Sequence, residues 1–228
     1  MNAWLEKLNE TFIQSGGYRL LLEGFQNTII ITLGALLIGV VIGTLIAVTK
    51  YFVEDSPKLK PLGWLCDLYT TVIRGIPITV LLLIFCFAIL VTASELTVAI
   101  VAFGINSGAY MAELIRGGIN AVDRGQMEAG RSLGLSRGQT MVKVIFPQAI
   151  RHILPAIGNE MIALLKETSV AGYVALVDLT RAGNLVRNNT HDQLNPLLAV
   201  ALVYLILVVV LTRLLAIFER RLRKSDGK

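Results

Sequence analysis

The stretch TIIITLGALLIGVVIGTLIAVT at residues 28–49 contains no charged side chain. A helix needs about 20 consecutive apolar residues to cross a hydrocarbon core about 30 Å thick. The stretch satisfies this length, exceeds the roughly 7–15 residues of a signal-peptide core, and follows a polar segment of mixed charge. We therefore expect residues 24–50 to form a membrane-spanning helix that is retained in the protein.

Four further apolar runs follow along the chain. Residues 75–94, 96–112 and 193–212 carry no charge, whereas another candidate at 147–174 includes Glu160, Lys166 and Glu167. Hydrophobic types make up 54% of the 228 residues and charged types only 16%, against about 25% charged residues in soluble domains. The pattern predicts an all-α integral membrane protein with five spans, at about residues 24–50, 63–94, 96–119, 147–174 and 194–219.

The basic residues predict how the chain is oriented in the membrane. Most of them fall after the first, third and fifth spans, and these segments share one side if there are five crossings. Segments rich in lysine and arginine stay in the cytoplasm. We expect the N-terminus outside, with residues 1–23 as an amphipathic lead-in at the outer surface. Residues 220–228 then form a basic cytoplasmic tail that contacts lipid headgroups.

Neither the cysteines nor the histidines form the pattern of a reactive site. Cys66 and Cys86 lie in or beside the second span, and His152 and His191 stand alone. Packing is the expected role of cysteine in such an apolar setting, and no metal-ligand or redox spacing is present. We expect no metal site and no catalytic residue.

Residues 123–147 form the largest predicted cytoplasmic segment. Asp123 can cap a short helix, and Glu128 favours helix within it. Gly134 can end this helix, because glycine readily adopts the left-handed conformation of a helix C-terminus. Ser136 can cap a second helix, and Pro147 lies near the point where that helix enters the membrane. The segment is therefore predicted to be a short helix, a tight turn and a second helix, a rigid element suited to transmitting force to a partner.

A helix, a turn and a helix are also found in DNA-binding proteins. That module needs a third helix and a small core of its own. Here the predicted spans begin within a few residues on either side, so there is no room for a third helix. We therefore expect no nucleic-acid partner.

The same segment resembles the EAA loop of the permease subunits of ABC importers. In that loop E-A-A is followed by three residues, a glycine, nine residues and I-x-L-P. The matching positions are Glu128, Ala129, Gly130, Gly134, Val144, Phe146 and Pro147. Gly130 replaces the second alanine, which weakens the short helix by about 1 kcal/mol. Val144 and Phe146 replace isoleucine and leucine and keep the apolar character.

Three further stretches are similar to segments of the polar amino acid permeases. They are VIRGIPITVLL at residues 72–82, INSGAYMAELIRGGINAV at 105–122 and NEMIALLKETSV at 159–170. The resemblance implies the type I ABC importer permease fold in a bacterial cytoplasmic membrane. It also implies a role in ATP-driven import of a polar amino acid by alternating access.

The resemblance further implies partners and a division of labour. A second permease subunit, identical or paralogous, completes the path, and a periplasmic or lipid-anchored amino acid-binding protein delivers the substrate. A cytoplasmic ABC ATPase dimer binds ATP and Mg and grips the EAA loop. This chain has no Walker phosphate-binding loop, so it is expected to hold no cofactor and to be no enzyme itself.

Ionisable residues within spans are costly and usually mark a path or a partner. Arg74 and Glu160 are expected at similar depth near the middle of the membrane, either as a structural ion pair or as a clamp for an amino acid. Glu113 is expected nearer the cytoplasmic exit, as a cavity residue or an interfacial partner of Arg116. Asn106 and Tyr110 lie seven and three residues before Glu113, so the three share one helix face. The candidate substrate-binding set consists of Arg74, Asn106, Tyr110, Glu113 and Glu160.

Two other functions are compatible with an apolar helical chain. One is a secondary amino acid transporter or channel subunit without an ATPase partner, and the other is a scaffold that transports nothing. Neither has a reason to retain the polar segment at residues 123–147, which is the feature that favours the ABC permease.

Overall fold

The computed structural model describes residues 2–55 and 57–224, and this part of the chain is almost entirely helical, with no strand. The helices are α1 (Asn2–Leu8), α2 (Gly17–Asp55), α3 (Lys60–Gly75), α4 (Ile78–Ile84), α5 (Glu95–Asn120), α6 (Arg124–Ser132), α7 (Arg137–Thr140), α8 (Phe146–Glu167), α9 (Leu179–Thr190) and α10 (Asn195–Lys224). Wide π-helical turns occupy Asn9–Gln14, Phe85–Ile89 and Met141–Ile145, and tighter 3₁₀ turns occupy Pro57–Leu59 and Thr168–Val174. The predicted all-α class is confirmed.

Three helices in the described residues are long and apolar enough to cross a membrane: Gly17–Val53, Glu95–Asn120 and Asn195–Leu222. A fourth candidate is the pair Lys60–Gly75 and Ile78–Ile89, which is interrupted at Ile76 and Pro77. Pro77 accounts for this interruption, because proline lacks a backbone donor and clashes with the preceding turn. The remaining predicted span, at residues 147–174, is carried by the more polar α8, and the count of five crossings stays a prediction.

The ends of the chain differ from the predicted boundaries. The lead-in predicted at residues 1–23 contains α1 and a π-helical turn, and α2 already begins at Gly17. Trp4 and Ile13 are exposed there, in keeping with an amphipathic segment, but Thr11 is buried. In the predicted tail at 220–228, α10 continues to Lys224, and residues 225–228 lie outside the described part of the chain.

The chain divides into two compact units, the first formed by Met1–Ile38, Ile76–Ile105 and Met161–Leu211. In this unit a buried carboxylate ties the N-terminal segment to the turn before α10. The Thr11 hydroxyl donates to Asp192 Oδ2 at 2.9 Å, and the Asn195 side chain donates to the same oxygen at 2.6 Å. Burial alone would raise the pKa of Asp192, but these bonds and two backbone N–H donors lower it below its ordinary value.

A second buried carboxylate in the first unit starts α9. Asp178 accepts from the backbone N–H groups of Thr180 at 2.8 Å and Arg181 at 3.3 Å, which makes it the N-cap. Burial raises the pKa of Asp178, although these hydrogen bonds oppose the shift. The side chain of Asn27 donates to the carbonyl of Val177 at 2.9 Å, so α2 is bonded to the segment that leads into α9.

The second unit comprises Gly39–Gly75, Asn106–Glu160 and Thr212–Lys228. Its apolar core lies where the cytoplasmic ends of the spans are predicted. The buried members are Ala47, Ile115, Val122, Ile145, Ala149 and Ile153, with Ile119, Met127, Met141 and Ile157 packed against them. The core therefore joins α2, α5, α8 and the predicted coupling segment within one unit.

Glycines on α2 allow close packing against α5. A Cβ atom would lie 2.6 Å from an α5 side chain at Gly39 and 2.4 Å at Gly43, both in the second unit. In the first unit a Cβ at Gly34 would lie 2.9 Å from α5. Small residues at such positions let helix backbones approach in a membrane, so each of these glycines permits close packing within its own unit.

Candidate coupling element and translocation site

The predicted coupling segment folds as a capped helix, a turn and a second capped helix. Asp123 precedes α6, and its Oδ1 accepts from the backbone N–H of Gly125 at 2.7 Å. This bond satisfies one of the donors that every helix N-terminus leaves without an intrahelical partner. The prediction that Asp123 begins this helix is confirmed.

The end of α6 depends on the glycine that the sequence indicated. Gly134 has φ +82°, in the left-handed region. Its N–H donates to the carbonyl of Arg131 at 3.0 Å, and the N–H of Leu135 donates to that of Gly130 at 3.2 Å. These two bonds define a Schellman motif, which stops the helix and satisfies its last carbonyls. Residues with a Cβ adopt this φ only with strain.

The second helix begins with a reciprocal cap. The backbone N–H of Gln139 donates to Ser136 Oγ at 3.2 Å, and the N–H of Ser136 donates to Gln139 Oε1 at 2.8 Å. This capping box satisfies two donors at once. Thr140, fully buried, donates its hydroxyl to the Ser136 carbonyl at 3.0 Å. The turn between the helices is thus fixed at both ends.

Gly130 of α6 lies directly against Thr140, the last residue of α7. A Cβ at Gly130 would lie 2.4 Å from Thr140 Cγ2 and 2.9 Å from its hydroxyl oxygen. Helix propensity alone assigns only a cost to glycine at this position. The structure supplies the reason for it, because Thr140 fills the space that the second alanine of the EAA pattern would use.

One side of the element is exposed and apolar in part. Glu128 and Ala129 are exposed, and Leu133 is 82% exposed, the highest value among the large hydrophobic side chains that the structure describes. Ala129 and Leu133 are four residues apart and so lie on one side of the helix. Val142, in the following π-helical turn, is 67% exposed. This surface can receive a partner in a groove.

The opposite side of the element is anchored. Met127 packs against the core of the second unit, and the Gln148 side chain donates to Gln126 Oε1 at 3.1 Å. Pro147 lies one residue after Phe146, where α8 begins, and the π-helical turn Met141–Ile145 comes directly before. A proline ring clashes with the carbonyl one helical turn earlier, and a wider turn relieves this clash. Pro147 therefore explains why a π-helical turn occurs here.

Three of the five candidate substrate-binding residues come together in the second unit. Arg74, in the last turn of α3, forms an ion pair with Glu113 of α5. Its guanidinium carbon lies 5.1 Å from the centre of the Tyr110 ring, a cation–π distance. The side chains of Arg74 and Glu113 are 38% and 47% exposed, so neither charge is enclosed by this chain alone.

The remaining two candidates occupy different settings. Asn106 is buried on the α5 face that also carries Tyr110 and Glu113, whereas Glu160 is half-buried in α8. The structure pairs Arg74 with Glu113. The sequence suggested Glu160 as a partner for Arg74. It suggested Arg116 as a partner for Glu113. Both carboxylates lie on helices separate from that of Arg74, and the sequence alone does not show which of the two lies beside it.

Neither of the two buried carboxylates was predicted from the sequence. The buried Asp192 requires Thr11, nearly the whole chain away, and no local pattern indicates such a contact. Asp178 could have been found, since an aspartate followed by a short polar helix is a common N-cap pattern.

The fold and the capped element define a class: the chain is the transmembrane permease subunit of an ABC transporter. Residues 39–224 match the model of the family described as binding-protein-dependent transport system inner membrane component, and the chain belongs to this family. With its apolar helices, this makes it a multi-pass protein of the inner membrane.

Sequence similarity to other permease proteins extends over most of the chain. It is 35% identical to the arginine transport system permease protein ArtQ of Bacillus subtilis over 210 residues, covering 90% of this chain and 94% of that protein. It is 37% identical to the glutamine transport system permease protein GlnP of Escherichia coli over 213 residues, covering 90% and 93%.

Solved structures agree with the fold. A crystal structure described as an amino acid ABC transporter with histidines matches with a TM-score of 0.83 and 39% identity, covering 90% of this chain and 94% of the other. An inward-facing MetNI methionine ABC transporter matches with a TM-score of 0.77 over 90% and 97% of the two chains. Identity to the latter is 21%, so it supports the fold alone.

Proposed function

We propose that this chain is the translocation subunit of an ATP-driven importer that carries a polar amino acid by alternating access. The named relatives transport arginine and glutamine, which supports a polar amino acid as the substrate class. The capped α6 element is the single observation that carries the proposal, because a rigid cytoplasmic lever has a use only where a separate motor moves it.

The motor is a cytoplasmic ABC ATPase dimer, which binds ATP and Mg. Glu128, Ala129 and the exposed Leu133 enter a groove on it, while Met127 transmits its movement into the core of the second unit. A second permease subunit, identical or paralogous, completes the path, and an amino acid-binding protein docks outside. This arrangement requires the N-terminus outside and the C-terminus in the cytoplasm.

The half-exposed ion pair suits the two charges of an amino acid. The Arg74 guanidinium can bind an α-carboxylate through two parallel hydrogen bonds, and Glu113 can bind the α-ammonium. The pair satisfies both charges when no substrate is present, and a substrate then exchanges partners with them. The Tyr110 ring keeps the guanidinium in place during this exchange, and Asn106 and Glu160 are further candidates for the same site.

Uptake by the complete transporter in proteoliposomes tests the proposal. Uptake should require ATP on the cytoplasmic side of the transporter and the binding protein on its outer side. A proton gradient alone should drive no uptake. Uptake driven by such a gradient without ATP would instead identify a secondary transporter.

Variants of the ion pair test the substrate site itself. Arg74→Gln and Glu113→Gln should each reduce uptake by about tenfold or more, since a hydrogen bond to a charged group contributes about 1.5–3 kcal/mol. Exchanging the two residues, as Arg74→Glu with Glu113→Arg, restores an ion pair but reverses the field that the substrate meets. Recovery of full uptake in this double variant would show that the pair is only structural.

A further inference from the structure

A cleft with a volume of about 530 Å³ opens beside the coupling element in the second unit. Its walls are the end of α2, the end of α5, the start of α6, and the helix and π-helical turn that follow. It is separate from the cluster of Arg74, Glu113 and Tyr110, none of which lines it. It also lies on the anchored side of α6, where Met127 contributes to its wall.

The charges around this cleft are unbalanced. Four cationic side chains line it, Lys50, Arg116, Arg124 and Arg137, against the single carboxylate of Asp123. Asp123 is committed to capping α6 through the N–H of Gly125. The side chains that line the cleft therefore carry an excess of positive charge, which attracts an anion.

The four cations are not equivalent. Lys50 forms an ion pair with Asp67, and the Arg137 guanidinium lies 5.0 Å from the centre of the Tyr51 ring. For Arg116 and Arg124 the described residues provide no carboxylate within ion-pair distance, and both side chains are exposed. These two guanidinium groups are therefore available to bind an anionic ligand.

The apolar residues of the cleft indicate which chemical class of ligand fits it. Ala47, Ile119, Met127, Met141 and Ile145 form much of the wall. A guanidinium binds a phosphate through two parallel hydrogen bonds, and an apolar wall accepts the carbon skeleton attached to it. On the predicted orientation the cleft opens at the cytoplasmic face, where anionic lipids are concentrated.

We infer that this cleft binds a phosphate-bearing anion, either the headgroup of an anionic phospholipid or a soluble phosphate compound, held chiefly by Arg116 and Arg124. The bound anion joins the ends of α2 and α5 to the start of α6. It thereby stiffens the connection between the coupling element and the spans that the element moves.

The test uses the purified complete transporter in phosphatidylcholine nanodiscs at constant ionic strength. Dihexanoyl phosphatidylglycerol and inorganic phosphate are titrated separately, and thermal unfolding and native mass spectrometry report binding. The double variant Arg116→Gln with Arg124→Gln should weaken binding by about tenfold or more, since it removes both guanidinium groups and their charge-assisted hydrogen bonds to the phosphate. Phosphate bound to an ATPase subunit is common to both proteins and cancels in this comparison.

The matched control is Lys143→Gln, which removes an exposed positive charge on the same segment outside the cleft. It should leave binding unchanged, and Arg116→Lys with Arg124→Lys should retain part of it. Saturable binding of the lipid alone identifies a headgroup site, and binding of both probes identifies a site for phosphate in general. Absence of saturable binding, or equal weakening by Lys143→Gln, overturns the inference.

Discussion

Replacement of Gly130 by alanine should damage the coupling element, although it restores the alanine of the EAA pattern. In an open helix, Gly→Ala stabilises by about 1 kcal/mol. Here the new Cβ would lie 2.4 Å from Thr140 Cγ2, closer than real Cβ contacts allow. Thr140 cannot rotate away easily, because it is β-branched, fully buried and bonded to the Ser136 carbonyl. Overpacking of this kind costs about 1–3 kcal/mol. It therefore offsets or exceeds the gain in helix propensity, and the net destabilisation is up to about 2 kcal/mol.

The assay is ATP-dependent uptake by the reconstituted transporter, with thermal unfolding measured on the same preparation. Gly130→Ala should lose most of its uptake while ATP hydrolysis by the partner continues, because the element no longer holds its two helices at the native distance. Gly138→Ala is the matched control, since nothing lies within 4 Å of a Cβ at that position. It should be neutral or slightly stabilising.

A second-site change tests whether the contact with Thr140 causes this loss of uptake. Thr140→Ser removes Cγ2, the atom in closest contact, and keeps the hydroxyl that bonds to Ser136. Combined with Gly130→Ala it should recover part of the lost uptake, as expected for residues in direct contact. Recovery is partial because the hydroxyl oxygen still lies 2.9 Å from the new Cβ. Wild-type uptake by Gly130→Ala alone, or no recovery in the double variant, would refute the steric reasoning.

Other parts of the chain allow three more tests of stability. Gly134→Ala should lower the thermal midpoint and uptake, since a Cβ at φ +82° costs about 1–2 kcal/mol. The pKa of Asp192 is lower in the folded protein than its ordinary value near 3.8, which applies to the unfolded chain. The ionised carboxylate therefore contributes its full stabilisation above about pH 3.8, and this stabilisation is lost as the pH falls through the lower pKa of the folded state. The Asp192→Asn variant should therefore be less stable than the wild type at neutral pH, and its thermal midpoint should fall less on acidification. Thermal unfolding measured at several pH values tests both expectations. Thr11→Val should also lower the thermal midpoint, because it removes one hydrogen-bond donor from Oδ2 of the buried Asp192 carboxylate. Unchanged midpoints in the Asp192 and Thr11 variants would contradict this account of the buried carboxylate.

Local signals in the sequence were sufficient for the coupling element. Asp123, Gly134 and Ser136 act through bonds to residues within five positions, so their roles follow from the chain alone. Contacts between distant segments were not predictable in this way. The partner of Arg74 depends on how α3 and α5 lie together, and Gly130 is explained by Thr140 only once the turn between them has folded.

Within the second unit α5 links the two parts of the proposed mechanism. Glu113 belongs to the charged cluster, and Ile115 belongs to the core that anchors the coupling element. These residues are two positions apart, so they lie about 3 Å apart along the helix axis and point to nearly opposite sides. A helix transmits displacement along its length without rearranging its own hydrogen bonds. Movement of α6 against Ile115 would therefore shift Glu113 relative to Arg74 directly, which requires no relay of side-chain changes between the motor and the substrate.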